Sequence, residues 1–223
     1  MNKKSLPTDK LQYLLFSEIY HKFQESKNKR KAFSLLESAI TCFSRRGFEN
    51  VTLTMIAREA GVTRPLLRHY FEDYNDIQLI SIKYIRLHFQ KLALSHMEKA
   101  KTTSQSLELY VESCFYWTKN FKTHSKVWLA YLLLCVGSNR HKEINTIAVQ
   151  TGEERLAALL EKGKSLGEFN FSESSQSTAK VIQTLITGAL ITVGCEEIPN
   201  PEAYLKLIQQ ECLKIVVSKM ESH

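Results

Sequence analysis

The chain has 223 residues, 43% of them hydrophobic, and carries 30 Lys and Arg against 23 Asp and Glu for a net charge of +7. This composition excludes a disordered or collagen-like chain and is enough to bury a sizeable core. With only 8 glycines and 4 prolines, a fold of many tight turns is excluded as well, and helices are expected.

The positive charge is uneven. Residues 1–75 hold 13 basic and 8 acidic side chains, a balance of +5, which points to a polyanionic partner at the amino end. The five cysteines, Cys42, Cys114, Cys135, Cys195 and Cys212, are scattered and odd in number, as in a reducing compartment. Lys3 and Lys4 are followed by no clean apolar run, because Gln12 and Glu18 interrupt it; a signal peptide is not expected. The run Val127–Val136 falls short of the roughly 20 residues that span a bilayer. A soluble, cytoplasmic protein is expected.

Residues 1–27 carry an apolar stripe of Leu11, Leu14, Leu15, Ile19 and Phe23 with five lysines around it. An extra helix packing on the reader or on a partner subunit, a basic arm along DNA and a dispensable tail all fit that pattern. Ala32, Leu35, Leu36, Ala39, Ile40 and Phe43 then recur at helical spacing and stop at Gly47. After two short helices, a long amphipathic helix is predicted from Asn75 to about Lys101. Further helices are predicted at 105–123, 125–136, 140–165, 174–193 and 201–220. The architecture expected is all-α, with about nine or ten helices.

Residues 47–77, GFENVTLTMIAREAGVTRPLLRHYFEDYNDI, carry the chemistry. Thr52 can cap a short helix whose Met55, Ile56 and Ala60 turn inward. Gly61 supplies a turn, and Thr63 caps a second helix with Arg64 and Pro65 in its first turn, where proline costs nothing. Leu67 and Phe71, four apart, form its buried edge. Two short helices joined by Ala60-Gly61-Val62 are a helix-turn-helix. The second, about 10 Å long, fits a major groove about 12 Å wide.

On Gly47-Phe48, Thr52, Ile56-Ala57, Ala60-Gly61-Val62-Thr63, Leu67 and Phe71, followed by a long helix, the sequence resembles the TetR family of bacterial transcriptional regulators. The resemblance covers about residues 29–80. It implies that Arg64, Pro65 and His69 face base edges, with Arg64 able to grip a guanine and Pro65 a thymine methyl. It also implies that Thr52, Thr63, Arg68, Tyr70 and Tyr74 touch phosphates, and that Lys29, with Arg30 and Lys31, anchors the backbone. The family more often has tyrosine, histidine and lysine where Arg68, Tyr70 and Tyr74 stand, so a relative's operator cannot be transferred. Leu66 stands where a small hydroxyl residue is common.

Three segments are therefore expected: an extension at 1–27, a reader at 28–75, and an effector-binding and dimerisation domain at 76–223. Residues 181–193 are apolar almost all round, and 201–220 carry two apolar edges. Surface on two faces needs two partners, so 174–193 and 201–220 are read as a homodimerising pair. The resemblance implies the same interface. Tyr110, Cys114, Trp117, Phe121, Trp128, Tyr131 and Cys135 form an aromatic cluster that is either core or, as the resemblance suggests, the lining of a pocket for a hydrophobic effector. Glu153-Glu154 and Glu196-Glu197 read as solvated helix ends.

His88 and His96 are eight apart with no carboxylate beside them, not a helical metal pair. No glycine-rich phosphate loop or nucleophile motif is present, so no cofactor, metal or catalytic residue is expected. The leading function is a repressor that duplex DNA binds as a pseudo-palindromic operator and that a small molecule releases. The alternative is a DNA-bound adaptor acting through a protein partner.

Overall fold

Helix α1 (Lys29–Arg46) buries Ala32, Leu35, Leu36, Ala39, Ile40 and Phe43 on one stripe. It stops at Gly47, whose φ of +74° closes the last turn through a bond from its N–H to the Phe43 carbonyl at 2.9 Å. These features come from a computed structural model that describes residues 29–217. The expectation of a helix within 1–27 lies outside the described residues. Among those described there are nine helices and no strand.

The chain forms two compact units. Among the described residues, one holds 29–89 together with Phe121–Gly137; the other holds Gln90–Asn120 and 138–217. The first contains α1, α2 (Leu53–Glu59), α3 (Arg64–Tyr70), most of α4 (Tyr74–Met97) and α6 (Lys122–Gly137). The segment expected to belong to the carboxy-terminal domain, α6, packs on α1 instead, with Tyr131 fully buried and its ring 6.5 Å from Phe48. Helix α4 starts with a cap: Asp73 accepts from the Asp76 N–H at 2.8 Å, and Asp76 accepts from the Glu72 N–H at 2.9 Å.

The second unit contains α5 (Thr103–Asn120), α7 (Asn139–Ser165), α8 (Ser175–Cys195) and α9 (Pro201–Val216). Helix α5 touches α7, α8 and α9, and α8 touches both α7 and α9. The caps here are Ser138, Ser174 and Asn200, each accepting a backbone N–H three residues on. At the end of α7, Gly163 sits directly under the Phe169 ring, and its carbonyl accepts from the Glu168 and Phe169 N–H groups.

One sequence expectation is corrected here. Glu153 is no solvated helix end, because it lies in the middle of α7 and is buried. A longer apolar stretch than the Val127–Val136 run is α8. It is the one described helix long and apolar enough to cross a membrane, yet it packs along α7, α5 and α9 as a core element.

Candidate nucleic-acid interface

Helices α2 and α3 are joined through a cap that glycine makes possible. Gly61 has a φ of +61°. Its N–H reaches the Arg58 carbonyl at 3.1 Å, and the Val62 N–H reaches the Ala57 carbonyl at 2.9 Å. These are the two bonds of a Schellman motif, which end α2 and turn the chain into α3. Thr52 accepts from the Met55 N–H at 3.3 Å and Thr63 from the Leu66 N–H at 3.4 Å. Each threonine keeps its hydroxyl hydrogen available to donate outward.

Helix α3 has one inner edge and one outer face. Leu67 and Phe71 are buried against the unit's core, with Ile56 and Ala57 of α2. Arg64, Pro65, Arg68 and His69 are exposed, while Tyr70 is half-buried with its ring 5.4 Å from His69. Leu66 is 39% exposed, so this face carries an apolar contact between charged ones. Thr52 and Thr63 are exposed beside it. Arg58, not singled out in the sequence, is exposed in the last turn of α2. Its position before the Gly61 turn was the available signal. Glu59 is drawn off by Arg45 at 3.1 Å, which ties α1 to α2.

Tyr74 differs from its neighbours. Its hydroxyl donates to the Phe48 carbonyl and its ring stands edge-on to Phe43. Burial pushes its pKa up to about 12. The hydroxyl is used inside the fold. Lys29 opens α1, and its side chain lies outside the described residues.

Residues 35–77 match the family model for bacterial regulatory proteins of the tetR family. This stretch of the chain is of the tetR type. The chain is 23% identical over 181 residues to the HTH-type transcriptional regulator BetI of Proteus mirabilis, covering 79% of this chain and 86% of that one. A TetR-family regulator from Rhodococcus sp. superposes with a TM-score of 0.74 at 18% identity, covering 83% of this chain and 98% of the other. A transcriptional regulator from Saccharomonospora viridis in complex with choline superposes with a TM-score of 0.73 at 17% identity, covering 84% and 98%. At such identities the structural likeness speaks for the fold.

The aromatic cluster is divided between the two units. Tyr110, Cys114 and Trp117 lie on α5 in the second, whereas Phe121, Trp128 and Tyr131 belong to the first. Tyr110 donates to the Gln183 side-chain oxygen at 2.9 Å, and Cys114 and Trp117 are buried. Burial raises the pKa of both Tyr110 and Cys114.

Phe121 joins a cluster that periodicity alone does not reveal. Its ring is 4.4 Å from His88, which stacks on His124 at 5.2 Å. Glu37 of α1 accepts from Tyr84 at 2.7 Å and faces His124 at 3.4 Å. The cluster links α1, α4 and α6 within one unit. Among the described residues no group of three or more His, Cys, Asp or Glu side chains is arranged to hold a metal.

Proposed function

We propose that the chain is a homodimeric repressor that reads a two-fold operator through α3 and is released by a small organic effector. The outer face of α3 carries this reading. Arg64, Pro65, Arg68 and His69 are all exposed on a helix whose opposite edge is pinned by Leu67 and Phe71. Arg64 and His69 act on base edges and Pro65 on a thymine methyl. Thr52, Thr63, Arg68 and Tyr70, with Arg58 and Lys29, act on phosphates and set the register. Within 28–75 the balance is only +3, from 8 basic and 5 acidic side chains, so one subunit binds weakly and two are needed.

The pairing surface is α8 with α9. Val181, Thr184, Gly188, Ile191 and Cys195 are exposed along α8, and Ala203, Leu207, Gln210, Lys214 and Val217 along α9 and its end. Both stripes advance in steps of three and four, the spacing of a helix-packing seam. Val181, Ile191, Leu207 and Val217 are 41% to 55% exposed, which is costly apolar surface unless a second copy covers it. Such a pair holds two reading helices at about 34 Å, one turn of DNA.

The effector enters the second unit, where Tyr110, Cys114 and Trp117 stand for an apolar lining. The choline complex of a structural relative supports small-molecule binding in this fold. Selection of genomic fragments by the purified protein tests the whole reading. The expected product is a pseudo-palindromic site at promoters, bound with steep salt dependence. Arg64→Ala should weaken that site by about 1–3 kcal/mol per half-site. An unchanged affinity would rule out base reading by α3. Sites far from promoters that no small molecule releases would favour an adaptor acting through a protein partner.

A further inference from the structure

The second unit holds a half-buried positive charge with no hydrogen-bonded counter-charge among the described residues. Arg155 lies in the second half of α7, and its Nε and Nη2 atoms are buried without a hydrogen-bond partner. Burial pulls its pKa below the ordinary arginine value, and the nearby Tyr110 hydroxyl and Glu154 pull it back only in part. Glu154 is exposed. Glu153 is buried but two residues away, about 200° around the helix, so it faces elsewhere. A half-buried guanidinium with two buried, unpartnered N–H donors is costly for a fold to retain.

Among the described residues, the polar groups around it are engaged elsewhere. Tyr110 gives its hydrogen to the Gln183 oxygen at 2.9 Å; neither oxygen bonds the two buried Arg155 nitrogens, and the Gln183 amide NH2 is left to offer. Thr151, one turn before Arg155, donates its hydroxyl to the Ile147 carbonyl at 3.0 Å. Gly152, on the same face as Arg155, has no side chain, and a Cβ there would stand 4.0 Å from the Gln183 oxygen. The other neighbours of Tyr110 are the buried thiols of Cys114 and Cys212. Both thiols are kept neutral by burial.

The two enclosed nitrogens are a matched pair. Nε–H and Nη2–H lie on one edge of the guanidinium plane and point the same way, the side-on fork that accepts both oxygens of a carboxylate. We propose that Arg155, assisted by the Gln183 amide, anchors the carboxylate of a small organic acid whose apolar body lies against α5. The inference rests on the effector-responsive reading above and narrows the effector to an acid. A quaternary ammonium or a neutral amide of the same shape leaves the fork unmatched.

Thermal unfolding of the full chain with two head-group series tests this: octanoate, octanamide and octyltrimethylammonium; benzoate, benzamide and phenyltrimethylammonium. At least one carboxylate should raise the melting temperature in proportion to its concentration, and its amide and ammonium counterparts should not. Arg155→Met and Arg155→Lys should each weaken that carboxylate by about tenfold to a hundredfold, lysine because it keeps the charge without the fork. Arg140→Ala, an exposed arginine on the same helix, should not weaken it. Without ligand, Arg155→Met should melt at or above the wild-type temperature.

The proposal is overturned if neither carboxylate protects, if an amide or ammonium protects equally, or if ligand-free Arg155→Met melts well below wild type. A carboxylate that binds through Arg155 but leaves operator DNA bound upholds the site and removes the effector reading. Release of DNA by the amide or ammonium upholds the effector reading and removes the site.

Discussion

Gly163→Ala sets a methyl group into the Phe169 ring. A Cβ at this position would lie 2.0, 2.4 and 2.7 Å from three ring carbons, where ordinary carbon contacts are about 3.5–4.0 Å. The ring must therefore retreat by on the order of 1.5 Å. It has little freedom to do so. Phe169 is 4% exposed, and its N–H and that of Glu168 both bind the Gly163 carbonyl, at 3.2 and 2.9 Å. Glu168 also accepts from the Ser104 N–H at 3.0 Å, and Asn170 donates to the Val216 carbonyl at 2.8 Å. Compression of such a site costs about 1–3 kcal/mol, and expulsion of the ring about 3–5 kcal/mol. The expected loss is about 3 kcal/mol, a fall in melting temperature of about 6–12 °C for a chain of this length. Circular dichroism melts read it directly. Phe169→Ala alone should cost about 3–5 kcal/mol. Adding Gly163→Ala to it should then cost nothing and recover up to about 1 kcal/mol, since alanine outranks glycine inside a helix. Equal losses from Gly163→Ala in both backgrounds would refute the clash, because contacting residues must couple.

Tyr74→Phe should cost about 1 kcal/mol of stability through the lost bond to Phe48. It should leave the salt dependence of operator binding unchanged, whereas a shallower slope would show the hydroxyl on a phosphate. Gly61→Ala meets no atom within 4 Å, so its cost is the left-handed backbone alone, about 1–2 kcal/mol; Gly61→Asn should lose less in the same melts. At Glu37, burial raises the carboxyl pKa, but bonds from His124 and Tyr84 and the charges of His124 and His88 bring it below the ordinary 4.5. A depressed folded pKa adds stability above the unfolded value and loses it as pH falls through the folded one. Urea midpoints of wild type should exceed those of Glu37→Gln near neutral pH and converge with them below about pH 4; a constant gap would show that the charge is not involved.

The reading unit was legible because its chemistry is local. Thr52, Ala60-Gly61-Val62 and Thr63 cap and turn within a few residues, so spacing alone carries the geometry. Helix limits were recovered for the same reason. For example, Thr102 accepts from the Gln105 N–H at 3.0 Å and starts α5 two residues before the expected point. What periodicity does not encode is which helix meets which. Phe121, Trp128 and Tyr131 read as one cluster with Tyr110, Cys114 and Trp117, yet the chain assigns them to different units. Tyr74 looked outward by family position, but a carbonyl 26 residues away takes its hydrogen. Arg155 stands in the stretch GEER, where spacing does not single it out; the pairing of α7 with α5 and α8 half-buries it.

The chain leaves the first unit at Phe89, returns at Phe121 and departs again after Gly137. The reader is thus not a detachable module, although its family match ends at residue 77. A chimaera that grafts residues 1–77 onto another regulator's body would leave α1 without the helix that carries Tyr131, and would uncover the Phe48 ring. Re-targeting this scaffold to a new operator therefore means exchanging α3 side chains in place, or moving 121–137 along with the reader. The same interleaving ties the α5 and α7 backbone covalently to the two ends of α6, the helix that packs on α1.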